Sequence, residues 1–164
     1  MKTTFILATI ATLAGGLIST AESPGARSRN LPASLAAEPD LGTFMKLVKA
    51  AGLQGTLQRS GPYTVLAPTD DAFRMLPEGT LDELMKPSNK DRLTDLIAYH
   101  IVPGNFPSAK IDLEERTTLQ GSRLVLNREA GVIWIGRAEV LRPDLESANG
   151  TIHVINMVLE PDQQ

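Results

Sequence analysis

The chain has 164 residues, 42% of them apolar, which is enough for one domain with a buried core and short for two. With 16 basic and 19 acidic residues its formal net charge is −3, so it lacks the excess positive charge with which proteins attract nucleic-acid phosphates. It contains no cysteine, which excludes disulfides, thiolate metal sites and a thiol nucleophile.

Residues 1–21 have the pattern of a secretory signal peptide, because Lys2 precedes an apolar stretch that ends in small residues at Ala21. A membrane anchor or a buried helix is the alternative, but threonines and glycines interrupt a run that barely reaches spanning length. Cleavage after Ala21 would remove one basic residue and change the net charge to −4. We therefore expect a secreted or periplasmic protein with no integral membrane segment after cleavage.

The segment 22–39 is rich in Ser, Pro, Ala and Gly and has no sustained periodicity, which predicts a flexible leader. The ordered domain is then expected to span residues 40–161, followed by a short tail at 162–164. A first helix is predicted from apolar residues at helical spacing, with Gly52 ending it: Leu41, Phe44, Leu47, Val48 and Ala51.

Two further helices are predicted before residue 103. Thr80 to Glu83 has the form of a capping box that opens the second helix, and Pro87 ends it. Ser88 or Asn89 can cap the third, which Pro103-Gly104 stops, and its apolar stripe consists of Leu93, Leu96 and Ile97.

After residue 112 the pattern changes to short β-prone runs, "TTL", "RLVLN", "VIWIG" and "AEVLR", separated by glycine, asparagine and charged residues. The spacer 127–131 has the length of a hairpin loop. Asn149-Gly150 predicts a turn into a last strand, 151–155, which is apolar on both faces apart from His153 and is therefore expected to be central. Helices followed by strands predict an α+β domain.

The stretch "GPYTVLAPTDDAF" contains adjacent carboxylates, Asp70 and Asp71, which raises the question of a catalytic pair. Residues 63–67 are typical of a strand, and Thr69 is suited to capping a helix that starts at Asp70. Carboxylates in a first helical turn are stabilised in the charged form and diverge around the helix, which does not suit a general acid. The pattern therefore favours a structural joint.

The two histidines offer little for catalysis or metal binding. His100 follows Tyr99 at the end of the third helix, where an imidazole can donate to a late helix carbonyl. His153, inside an apolar strand, is expected to be buried, neutral and hydrogen-bonded. No His-x-His, Glu-x-x-His or similar ligand spacing is present, so we predict no metal and no cofactor.

The sequence also lacks the common nucleophile and phosphate-loop motifs, such as Gly-x-Ser-x-Gly. The sequence leaves open a catalytic triad whose residue spacing matches none of these motifs. Asn149-Gly150-Thr151 matches a glycosylation acceptor, but Asn-Gly is also a strong turn signal, and the turn is the preferred interpretation.

Three segments in register resemble the fasciclin family of extracellular adhesion domains. They are "GPYTVLAPTDDAF", "LIAYHIVPG" and residues 138–161, "AEVLRPDLESANGTIHVINMVLEP". The resemblance covers roughly residues 31–161. It implies a fasciclin-like, wedge-shaped β-sandwich with packed helices, and a non-enzymatic role in adhesion to a cell-surface or extracellular macromolecule. We expect a monomer.

The resemblance also implies which residues contact a partner. The family's Tyr-His adhesion segment falls on Tyr99 and His100, and an integrin-contacting Pro-Asp-Ile motif falls on Pro143, Asp144 and Leu145. This motif departs from the family pattern, since Leu145 replaces the isoleucine and Arg142 stands where the family carries an acid. A plain turn at Pro143-Asp144 is the alternative.

Two rival functions remain. Some fasciclin-like proteins bind apolar pigments, so the chain could carry an apolar small ligand such as a carotenoid. An enzyme would instead require a cleft that groups His100 or His153 with a perturbed carboxylate. A structure in which both imidazoles are packed and bonded to backbone would remove the enzyme hypothesis.

Overall fold

The computed structural model describes residues 29–59 and 61–161. The predicted signal peptide, the first part of the leader at 22–28 and the tail at 162–164 lie outside the described residues. The helices are α1 Leu31–Ala37, α2 Gly42–Ala50, α3 Gln54–Arg59, α4 Asp70–Arg74, α5 Thr80–Met85 and α6 Lys90–Tyr99, with 3₁₀ turns at Pro87–Asn89 and Ser108–Lys110. The strands are β1 Tyr63–Pro68, β2 Ile101–Pro103, β3 Glu114–Thr117, β4 Arg123–Glu129, β5 Val132–Ile135, β6 Ala138–Ser147 and β7 Gly150–Ile155.

The strands form one continuous mixed sheet in the order β2-β1-β7-β6-β5-β4-β3. Strands β1 and β7 are parallel, with Tyr63 opposite Gly150, and the other neighbours are antiparallel. The two ends of the sheet approach each other, since the Leu119 amide beyond β3 donates to the Ile101 carbonyl of β2 at 2.7 Å. The predicted α+β class is confirmed, and the two layers of the expected sandwich are halves of one folded sheet.

Strands β1 and β7 are buried on both faces, as the apolar run at 151–155 predicts. Val65 and Ile152 pack with the helices in one apolar cluster, the helix-side cluster. Leu66 and Ile155 pack in a second cluster with side chains of β4, β5 and β6. The helices therefore cover one face of the central strands, and the folded-over part of the sheet covers the other.

The expectation of a flexible leader up to residue 39 needs correction, because residues 31–37 form helix α1. The side chain of Asn30 caps this helix by accepting from the Ala33 amide at 3.1 Å, and Pro32 lies in its first turn. Leu31 and Leu35, one turn apart, are fully buried in the helix-side cluster. Two large apolar side chains in seven residues are too few to give a periodic signal, but they are enough to anchor a short helix on an existing core.

The other helix ends differ in detail from the predicted ones. Gly52 follows α2 with a φ of +76°, the left-handed conformation expected of it. Thr80 does not form the predicted capping box, because Gly79 at φ +84° occupies the N-cap position without a side-chain hydrogen bond. Helix α3 and strand β2 were not predicted, since each is too short for a periodic pattern. None of the helices in the described ranges is long and apolar enough to span a bilayer.

Candidate functional site

The first candidate, Thr69-Asp70-Asp71, lies where β1 meets α4. The Thr69 hydroxyl accepts from the Ala72 amide at 3.1 Å, which caps α4. The Asp70 carboxylate accepts from the Thr43 amide at 2.8 Å, in the first turn of α2, and the exposed Asp71 pairs with Arg74. The two carboxylates thus serve different helices, and they do not converge on a common substrate position.

The second candidate, Tyr99-His100, lies at the end of α6 inside the protein. Each residue is only 1% exposed, so neither side chain is available to touch a partner. This placement corrects the direct-contact role that the family resemblance implies for these two residues. Tyr99 belongs to the second apolar cluster, and the His100 ring lies 5.8 Å from the ring of Phe44.

The His100 imidazole bridges two backbone segments. Its Nδ1 donates to the Leu96 carbonyl at 2.8 Å, and its Nε2 accepts from the Leu159 amide at 3.0 Å. A carbonyl can only accept and an amide can only donate, so this geometry requires the neutral Nδ1–H tautomer. Burial lowers the pKa of His100 to about 4, although its bond to the Leu96 carbonyl acts in the opposite direction.

The third candidate, Pro143-Asp144-Leu145, forms a bulge in β6. Arg142 pairs with Val154 and Leu145 with Ile152, so Pro143 and Asp144 together face the single residue His153 of β7. Asp144 has a φ of +59°, and both Pro143 and Asp144 are exposed. Leu145 is half-buried against the helix-side cluster. The bulge therefore presents Pro143 and Asp144 outward, while Leu145 is a packing residue.

His153 holds this bulge in place. It is fully buried, its Nδ1 accepts from the Asp144 amide at 3.2 Å, and its Nε2 donates to the Phe106 carbonyl at 2.7 Å. This arrangement requires the neutral Nε2–H tautomer, the opposite of that in His100. Burial lowers the pKa of His153, opposed by the bond to Phe106 and by the charge of Asp144. The ring is thus a neutral bridge between β6 and the segment after β2.

The side chains of Ser108, Asp144 and His153 lie together, but their hydrogen bonds are not those of a catalytic triad. The Asp144 carboxylate accepts from the Ser108 amide at 2.7 Å and from its hydroxyl. In a triad the serine hydroxyl contacts Nε2 and the carboxylate accepts from Nδ1–H. Here Nε2 donates to a backbone carbonyl and Nδ1 accepts from a backbone amide, so the imidazole has no nitrogen left for a proton transfer. The 105–108 segment was not recognised from sequence, because its role depends on contacts about 40 residues away.

Asn149 does more than form the predicted turn. Its Oδ1 accepts from the Leu31 amide at 2.9 Å, and its Nδ2 donates to the Leu57 carbonyl at 2.5 Å. One side chain thereby ties α1 and α3 to the start of β7. Because its amide nitrogen is engaged, this geometry favours the turn interpretation over glycosylation.

Gly150 is required by a close approach between strands. A Cβ at this position would lie 1.9 Å from the Tyr63 carbonyl oxygen of β1, far inside any allowed contact. The Asn-Gly pair therefore serves two purposes, since the asparagine anchors helices and the glycine admits the parallel neighbour.

Arg142, which stands where the family resemblance predicts an acidic residue, forms a local ion-pair network. Its guanidinium binds Glu38 at 2.8 Å and Asp40 at 2.6 Å, which join the α1–α2 connection to β6. Within the described ranges 29–59 and 61–161, no group of three or more His, Asp or Glu side chains could hold a metal ion.

Comparison with known proteins agrees with this architecture. A sequence model described as the Fasciclin domain matches residues 39–161. Protein sll1483 of a Synechocystis strain is 41% identical over 119 residues, covering 73% of this chain and 66% of its own length. The transforming growth factor-beta-induced protein ig-h3 of Sus scrofa is 33% identical over 137 residues, covering 75% of this chain but 20% of ig-h3.

A solved structure, of a FAS1 domain pair from the insect cell adhesion molecule Fasciclin I, has the same fold. It matches with a TM-score of 0.64 at 20% sequence identity and covers 83% of this chain and 52% of that one. This chain therefore spans no more than about two thirds of the length of any of these three proteins. Helix α1 lies before the segment that the family model matches.

Proposed function

Because the chain belongs to the fasciclin family, we propose that it is a non-catalytic binding module, secreted or periplasmic, that mediates adhesion to a cell surface or another extracellular macromolecule. The related solved structure is from a protein described as a cell adhesion molecule, which supports this class of function.

The observation that carries the proposal is the bonding of the two histidines. In His100 and His153 every ring nitrogen is bonded to backbone, and burial lowers both pKa values. A general acid or base needs a nitrogen that reaches the substrate and a pKa near the working pH. The only two imidazoles of the chain therefore act as structural supports, and neither has a ring nitrogen free to serve as a general acid or base.

The exposed part of β6 is the contact surface that we propose. Pro143 and Asp144 are held outward by His153 and Ser108, so their backbone is fixed before a partner arrives. Leu141, on the same strand, is 49% exposed and adds an apolar group. A rigid surface with an apolar residue, a proline and a carboxylate loses little conformational entropy on binding.

Binding of the purified protein to surface fractions of the producing cell tests the proposal. We expect saturable binding that the change Leu141→Ser weakens, with the same midpoint of thermal unfolding. The matched control is Met85→Ser on α5, since Met85 is 47% exposed and lies far from β6 in sequence. Absence of saturable binding to every surface fraction would contradict the adhesion role. Equal losses in the two variants would contradict the placement of the surface on β6.

A further inference from the structure

A separate apolar pocket of about 240 Å³ opens beside β4 and the segment after β7. Buried side chains of Tyr99, Leu124 and Leu159 line it, together with the half-buried Val125. Arg137, which is exposed, belongs to the same lining. These residues are distinct from Leu141, Pro143 and Asp144, which form the contact surface proposed above.

The turn between β5 and β6 shapes one side of this pocket. Gly136 has a φ of +59°, which favours glycine, and a Cβ there would lie 3.4 Å from Cδ1 of Leu124 and 3.6 Å from Cδ2 of Leu159. The missing side chain leaves those two leucines uncovered at this point. The same turn brings the next residue, Arg137, to the pocket.

The volume limits the size of a ligand. An apolar protein cavity of about 150 Å³ holds benzene, whereas pockets for drug-sized molecules begin at about 300 Å³. A space of about 240 Å³ therefore accommodates one aromatic ring or a short acyl chain with a linker. A long polyene such as a carotenoid does not fit within it.

The charge at the pocket indicates the polar end of the ligand. Arg137 has no hydrogen bond or ion pair with any residue of the described ranges 29–59 and 61–161. Glu160 also lines the pocket, but it has an interaction of its own. A free guanidinium presents paired N–H donors that match a carboxylate.

We propose that this pocket binds small amphipathic carboxylates, with a single ring or short acyl chain against Tyr99, Leu124 and Leu159 and the carboxylate on Arg137. This activity is independent of the adhesion role, because its residues lie outside the β6 contact surface. It also differs from carriage of a carotenoid, which the volume disfavours at this site.

Titration of the ¹⁵N-labelled full chain with hydrocinnamate, followed by amide NMR shifts, tests the proposal. We expect shifts at Gly136, Arg137 and Leu159, and binding about fivefold tighter than that of hydrocinnamyl alcohol, the neutral analogue. The change Arg137→Gln should reduce the affinity for the acid to that for the alcohol. Arg92→Gln, at an exposed position of α6, is the matched control and should leave both affinities unchanged.

A second pair of variants tests the apolar part of the pocket. Met157→Trp, at a half-buried position that lines the pocket, should fill it and weaken acid and alcohol alike, whereas Met75→Trp, at an exposed position outside the pocket, should not. If Met157→Trp fails to fold, Arg137→Gln still decides, since the Arg137 side chain is exposed. Equal affinities of the wild type for acid and alcohol would overturn the proposal. Shifts confined to other residues, or none up to the solubility limit of hydrocinnamate, would also overturn it.

Discussion

Protonation of His100 should destabilise the fold in mild acid. In the folded state its Nδ1 donates to Leu96 and its Nε2 accepts from Leu159, so a second ring proton would break the contact with the Leu159 amide. Because burial lowers the pKa from 6.5 to about 4, the unfolded chain binds a proton between these pH values that the folded chain does not. The contribution of this group to stability is therefore complete above pH 6.5 and is lost as the pH falls towards 4.

The size of this effect follows from the two pKa values. The difference between 6.5 and about 4 corresponds to about 3 kcal/mol of unfolding free energy. Between pH 7 and pH 4.5, which spans most of the window, the loss should be about 2 kcal/mol. The His153 pKa is also lowered, so its contribution has the same sign.

Urea unfolding at pH 7 and pH 4.5 measures the loss, and the variant His100→Gln separates it from the contributions of His153 and the carboxylates. Glutamine can accept from the Leu159 amide but does not titrate. The variant is expected to be less stable than the wild type at pH 7 and to lose about 2 kcal/mol less on acidification. Equal pH dependence of the two proteins would refute the argument, as would titration of the His100 ring near pH 6.5 in NMR spectra of the folded protein.

Two substitutions at the turn before β7 test packing and anchoring. Gly150→Ala would force a methyl group against the Tyr63 carbonyl and should lower the free energy of unfolding by about 3 kcal/mol in urea melts. The control Gly42→Ala, with open space around it, should be close to neutral. Near-wild-type stability of the Gly150 variant would contradict the close approach. Asn149→Ala removes the bonds to α1 and α3 and should cost about 2 kcal/mol, with faster hydrogen exchange in α1, while Asn127→Ala on β4 should leave that exchange unchanged. Unaltered exchange of α1 in the Asn149 variant would show that the helix is held by its leucines alone.

The features that sequence reasoning predicted well are local ones. Spacing of apolar residues located α2 and α6, and Gly52 ends α2 in the expected left-handed conformation. Thr69 caps α4 as its position before two carboxylates indicates. The three family-like segments led to the fasciclin assignment, which the family model confirms. Each of these signals depends on residues close together in the chain, so no knowledge of the tertiary structure is needed to recognise them.

The features that were missed depend on residues far apart in the chain. Helix α1 is stabilised by burial of Leu31 and Leu35 and by a bond to Asn149, which lies 118 residues from Leu31. The burial of Tyr99 and His100 could not be predicted, because it results from packing against segments on both sides of the sheet. A short motif specifies which chemical groups are present, but not which of them the rest of the fold covers.

The same distinction holds for the possible sites of binding. Sequence alone established an acidic, cysteine-free chain with one α+β domain, and it identified Pro143 and Asp144 as candidates. Only the folded chain brings His153 and Ser108 to that bulge, and only the turn at Gly136 brings Arg137 to an apolar pocket. The physical reason is that helix and strand patterns are encoded over a few residues, whereas burial, tautomer and pocket shape depend on neighbours that only tertiary packing supplies.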